Sequence, residues 1–113
     1  MTESPSSPAA TPGRLTIDID TAPGTATLTV HGEIDLDTIE QLSDALTSVS
    51  ASRRVDVDLG DVSYMDSGGL RTMLTAKSDI EQLGGRLRVI DASSVVDRLF
   101  EIAGVAEIFY QRG

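Results

Sequence analysis

Between Val55 and Leu83 the spacing of the residues that build a core changes once. Val55, Val57 and Leu59 alternate with Asp56 and Asp58, which is the period of a strand. Leu70, Met73, Leu74, Lys77, Ile80 and Leu83 recur every three or four residues, as one face of a helix does. The change falls across Val62-Ser63-Tyr64-Met65-Asp66-Ser67-Gly68-Gly69, which reads as a loop ending on a helix N-terminus. A strand passing through a short connection into an amphipathic helix commits the chain to an α/β layer, because each element must bury its apolar side on the other. The junction is also where function is expected: a helix start presents N–H groups without intrahelical partners, and two glycines leave them unshielded.

The remaining segments extend the same alternation of elements. Leu15, Ile17 and Ile19, then Ala26, Leu28 and Val30, have period two around the turn signal Ala22-Pro23-Gly24, which predicts a hairpin. Ile39, Leu42, Ala45, Leu46 and Val49 predict a helix of about 13 residues capped by Asp37 or Thr38. Gly84-Gly85 closes the helix that begins near Leu70, Leu87, Val89 and Ile90 form another strand, and Ser93 or Ser94 caps a helix bearing Val95, Val96, Leu99, Phe100 and Ala103 up to Gly104. Ile108 to Tyr110 is expected as a short last strand. The order predicts an α/β fold with four to five strands. Because the strands alternate polar and apolar residues, helices should pack mainly on one face of the sheet.

With 113 residues the chain is expected to form one domain. Residues 1–13 carry three of the four prolines and almost nothing large and apolar, so they are expected to be a flexible tail ahead of a folded domain over 14–113. Eighteen acidic residues against nine basic ones give a net charge of −9, which opposes nucleic acid and anionic membrane surfaces. No apolar run approaches the roughly 20 residues needed to span a bilayer, so no direct membrane contact is expected. The lack of cysteine removes disulfides, thiolate metal sites and cysteine nucleophiles. The tail has no apolar core of a secretory signal, and a cytoplasmic location is expected.

Several chemistries fail on spacing. A Gly-x-Ser-x-Gly nucleophile elbow would need glycine where Met65 stands, and the only histidine available as a base is His31. Asp35, Asp37, Asp56, Asp58 and Asp66 match no compact calcium loop, and no Gly-Lys-Ser or Gly-Lys-Thr follows the glycines. Neither an enzyme activity nor a metal or other cofactor is therefore expected. The simplest role for Ser67 is that of N-cap, with Asp66 complementing the helix dipole. That role leaves Gly68 and Gly69 unexplained, since glycine costs about 1 kcal/mol against alanine in a helix. Something must approach that backbone closely.

These residues resemble the STAS domains, and among them the single-domain anti-sigma factor antagonists. Gly32-Glu33-Ile34-Asp35 matches the family's Gly-Glu-Leu/Ile-Asp segment, and Leu59, Val62, Asp66, Ser67, Gly69 and Leu70 match its Leu-x-x-Val-x-x-x-Asp-Ser-Ser/Thr-Gly-Leu segment. Gly84-Gly85 and Arg98-Leu99-Phe100 with Gly104 are also similar, so that the resemblance spans about residues 14 to 110. It implies a STAS-like mixed sheet. It further implies phosphorylation of Ser67 by a partner that is both serine kinase and anti-sigma factor, bound when Ser67 is free and released when it is modified, with a serine phosphatase resetting the switch. The partner surface implied comprises Asp35, Asp66, Ser67, Gly68, Gly69, Leu70 and Arg71.

Two positions depart from the family. Gly68 replaces a usual second Ser or Thr, so Ser67 is the only hydroxyl for the switch, and Arg71 stands where many members have a small residue. Arg71 is expected to be solvated, with pairing to a phosphate or to Asp66 as alternatives. The competing reading of the whole chain is a constitutive STAS scaffold or ligand-binding module of a transporter, lipid-trafficking complex or signalling assembly, with Ser67 as a plain cap.

Overall fold

The computed structural model describes residues 14–110. Two strands, β1 (Leu15–Ala22) and β2 (Thr25–Ile34), pair antiparallel across a two-residue turn, Pro23-Gly24, where Gly24 takes a φ of 79° that a side chain would resist. From β2 the chain crosses through α1 (Ile39–Ser48) to β3 (Arg54–Met65), which lies parallel to β2. It crosses again through α2 (Ser67–Gln82) to β4 (Arg86–Ala92), parallel to β3, and ends in α3 (Ser94–Ala103) and the single turn α4 (Ala106–Phe109). The sheet order is β1-β2-β3-β4, so every strand lies beside its neighbour in sequence. This is the mixed α/β sheet expected, at the four-strand end of the range.

All the buried apolar side chains of the strands belong to one cluster with those of the helices. Ala26, Leu28 and Val30 of β2, Val55, Val57 and Leu59 of β3, and Leu87 and Val89 of β4 meet Leu42, Leu46, Met73, Ile80, Val96 and Phe100 from the helices. The alternate positions face the other way and stay polar: Asp56 is paired with Arg88 at 3.0 Å, and His31 with Asp61 at 3.0 Å. Lys77 occupies a buried position on α2 and pairs with Glu81 one turn on, so its alkyl stem fills core space while its charge is met.

Three expectations are corrected. The segment expected as a final strand is helical in α4: Phe109 turns inward and stacks on Phe100 with centroids 4.7 Å apart, and Tyr110 meets the same ring at 5.8 Å, whereas strand alternation would send these consecutive side chains to opposite faces. The Tyr110 hydroxyl donates to Asp97 Oδ1 at 2.9 Å, and burial followed by that neighbouring carboxylate pushes its pKa up. The second correction is in β3, which runs through Met65 instead of ending near Leu59. Register shifts against β2, between Thr29 and His31 and between Gly32 and Glu33, break the regular alternation while the strand continues. Finally, α1 has 10 residues, with Thr38 in the cap position. Ser93 caps α3 by accepting from Val96 N–H, and Gly104 ends it at a φ of 76°. The tail expected over residues 1–13 lies outside the described residues.

Candidate functional site at the start of helix α2

Strands β2 and β3 finish together, with Ile34 paired to Met65, and Asp66 N–H donates to Ile34 O at 3.2 Å. Asp66 is extended, at φ −97° and ψ −178°, and the next residue is already helical. Its Oδ1 accepts from Gly69 N–H at 2.9 Å, and its carbonyl accepts from Leu70 N–H at 3.1 Å. Asp66 is therefore the N-cap, and the expectation that Ser67 caps the helix is corrected. Both residue types cap well, and the last strand pairing, Ile34 to Met65, sets which of them stands one residue before the helix. Ser67 is the first helical residue, exposed, and its hydroxyl has no hydrogen-bond partner among the described residues.

The two glycines have different surroundings. A Cβ on Gly69 would lie 2.7 Å from Ile34 Cγ2 and 2.8 Å from Met65 Cγ, so the close approach that demands glycine is made by the protein's own strand ends. Gly68 is exposed, and a Cβ there would meet only the Asp66 carboxylate, with Oδ1 at 3.3 Å. Leu70 packs on the core from a half-buried position. Arg71 is exposed and without a hydrogen bond or ion pair among the described residues.

Asp35 reaches the same end of the sheet, one residue past Ile34, but its carboxylate is engaged locally. Oδ1 accepts from Asp37 N–H at 2.9 Å and Thr38 N–H at 3.2 Å, and the Arg14 guanidinium donates to it at 3.2 Å while also holding Asp37 at 3.1 Å. The buried Thr38 hydroxyl accepts from Asp35 N–H at 2.9 Å and donates to Glu33 O at 2.8 Å. Burial works to raise the Asp35 pKa. The Asp37 N–H, the Arg14 charge and the Thr38 N–H and hydroxyl outweigh it and hold the carboxyl below its usual range.

This network fixes a loop that presents Leu36 with 86% of its surface exposed, beside the strand end where Tyr64 is also half-exposed. Neither residue was singled out by sequence. Leu36 lies three residues before Ile39, in phase with the apolar face of α1, so the spacing gives no sign of its exposure. The open end thus combines a free hydroxyl, an unpaired guanidinium, a capping carboxylate and an exposed apolar side chain on a hydrogen-bonded loop. Such an arrangement suits recognition by another macromolecule. His31 is hydrogen-bonded to Asp61 on the polar face of the sheet, and no contact brings it to Ser67.

A family model described as "Mlab, STAS domain" matches residues 17–110. The anti-sigma-B factor antagonist of Staphylococcus aureus (strain NCTC 8325 / PS 47) is 34% identical over 83 residues, covering 72% of this chain and 77% of that protein. The Staphylococcus epidermidis protein of the same name is 31% identical over the same shares of each chain. Among solved structures, an anti-sigma factor antagonist from Mycobacterium paratuberculosis superposes with a TM-score of 0.77 at 23% identity, covering 90% of each chain. SpoIIAA in its unphosphorylated form superposes with a TM-score of 0.74 at 20% identity, covering 87% of this chain and 88% of that one. These structural likenesses establish the fold. The chain belongs to the STAS domain family and, through its sequence relatives, to the anti-sigma factor antagonists within it. Among the described residues no helix is long and apolar enough to cross a membrane.

Proposed function

We propose that this protein binds an anti-sigma factor with serine-kinase activity through the start of α2 while Ser67 is unmodified, and releases it once Ser67 is phosphorylated. Transcription by the corresponding sigma factor would follow from the bound state. The observation that carries the reading is the division of roles at the cap: Asp66 holds the helix end, which leaves the Ser67 hydroxyl exposed and unbonded. The kinase would transfer the γ-phosphoryl group of ATP to Ser67 Oγ, with loss of the hydroxyl proton and departure of ADP. A serine phosphatase would reverse the modification by hydrolysis. The product carries about −1.5 to −2 added charges on an already acidic molecule, next to Asp66. Free N–H groups and the dipole at the helix start accommodate that charge, so the fold survives and the effect falls on the partner.

The partner surface proposed is Asp66, Ser67, Gly68, Leu70 and Arg71, with Gly69 setting the height of the first turn and Asp35 fixing the neighbouring loop. Incubation with the cognate kinase and ATP is expected to place one phosphate, located by mass spectrometry, on Ser67. In pull-downs Ser67→Ala is expected to retain the kinase and Ser67→Asp to lose it. Equal retention by wild type and Ser67→Asp would assign the chain instead to the constitutive STAS modules.

A further inference from the structure

Ser67 opens α2 and Arg71 follows one turn later. Residues four apart on a helix stand on one face with Cβ atoms about 5–6 Å apart, and their side chains lean toward the N-terminus, so an arginine at the later position reaches back over the earlier one. Both residues are exposed, and Arg71 is the only basic residue between Arg54 and Lys77. The nearby acidic groups do not hold it. Asp66 Oδ1 accepts from Gly69 N–H, while Asp35 and Asp37 are bound to Arg14. Asp79, two turns further along α2, lines the same cleft of about 250 Å³ between α1 and α2 but forms no bond with Arg71.

We propose that Arg71 is the intramolecular partner of a phosphate on Ser67. The inference rests on the phosphorylation of Ser67 proposed above and adds what happens next. The guanidinium folds back one turn and takes two phosphate oxygens in its planar fork, a charge-assisted contact that lysine cannot match in geometry. Phosphorylation then alters the surface twice: it adds negative charge, and it withdraws from the kinase a cation that the unmodified form presents. Gly68, exposed on the other flank of Arg71, has no side chain to compete for the guanidinium.

The test uses the full chain with phosphoserine installed at position 67 by genetic-code expansion, so no kinase is needed. Phosphorus NMR follows the second ionisation of the phosphate with pH. A neighbouring guanidinium favours the dianion, so the wild-type midpoint is expected to lie about 0.3 to 0.5 pH unit below that of Arg71→Gln at low salt. The difference is expected to fall by at least half at about 0.5 M salt, and Arg71→Lys to lie between the two. Circular dichroism of the variants controls for folding. Coincident midpoints in wild type and Arg71→Gln at low salt overturn the proposal, and a purely structural role for Arg71 would give that result. Failure of the kinase to modify Ser67 would overturn the function proposed above without touching this measurement, because the phosphate is installed independently.

Discussion

Alanine at Gly68 and at Gly69 should move stability in opposite directions, although the residues are adjacent in one helical turn. In an open helix position the change from glycine to alanine gains up to about 1 kcal/mol from backbone entropy. At Gly69 the new methyl would sit 2.7 Å from Ile34 Cγ2 and 2.8 Å from Met65 Cγ, about 1 Å inside normal contact. Ile34 is fully buried and branched at Cβ, so it cannot swing aside, and relief requires α2 to lift off the strand ends. Overpacking of this kind costs about 1–3 kcal/mol, which outweighs the entropy gain and leaves Gly69→Ala less stable by about 1 kcal/mol. For a domain of this size that corresponds to a melting temperature lower by roughly 4–8 °C. At Gly68 the methyl meets only Asp66 Oδ1, at 3.3 Å, and a small shift of the carboxylate accommodates it. Gly68→Ala is expected to be more stable by about 0.5 kcal/mol, raising the melting temperature by roughly 2–4 °C. Thermal melts followed by circular dichroism, with urea titrations as a check, measure both. A rise in melting temperature for Gly69→Ala, or a fall for Gly68→Ala comparable to the loss expected at Gly69, would refute the assignment of the two glycines.

Asp66→Ala should lose about 1 kcal/mol in a urea titration because Gly69 N–H loses its acceptor, whereas Ser67→Ala should stay within about 0.5 kcal/mol of wild type. Thr38→Val should cost about 1–3 kcal/mol by the same measurement, since it removes the acceptor of Asp35 N–H and the donor to Glu33 O at a buried site. The folded-state pKa of Asp35 is lowered from 3.8, so its carboxylate contributes stability above the unfolded value that is lost as pH falls from about 4 through the folded value. Unfolding midpoints measured from about pH 5 downward should therefore fall less steeply for Asp35→Asn than for wild type, and parallel slopes would remove Asp35 from that role.

Regular stretches were legible because their periods are long enough to count. The hairpin, the three principal helices and the Gly104 stop follow from spacing alone. Where sequence failed, a few residues with non-local partners decided the outcome. Ile108-Phe109-Tyr110 resembles a strand by composition, but packing against Phe100 rewards turning Phe109 inward, and a single helical turn is too short to display a period. Beyond Leu59 the shifts in register hide the continuing strand. At the candidate site the motif located Asp66 and Ser67 but not which of them caps, because that depends on the pairing of Ile34 with Met65. The setting of Asp35 depends on Arg14, 21 residues earlier, and no local pattern announces a contact of that range.

The capping bond from Asp66 to Gly69 has an evolutionary consequence. Where one residue both anchors a helix and receives a modification, each substitution that retunes the signal also jeopardises folding. Under the function proposed above, the two traits fall to adjacent residues, Asp66 for the anchor and Ser67 for the modification. A substitution at position 67 would then gain, silence or lock the proposed switch while the Asp66 cap on Gly69 N–H, and with it the helix end, stays in place.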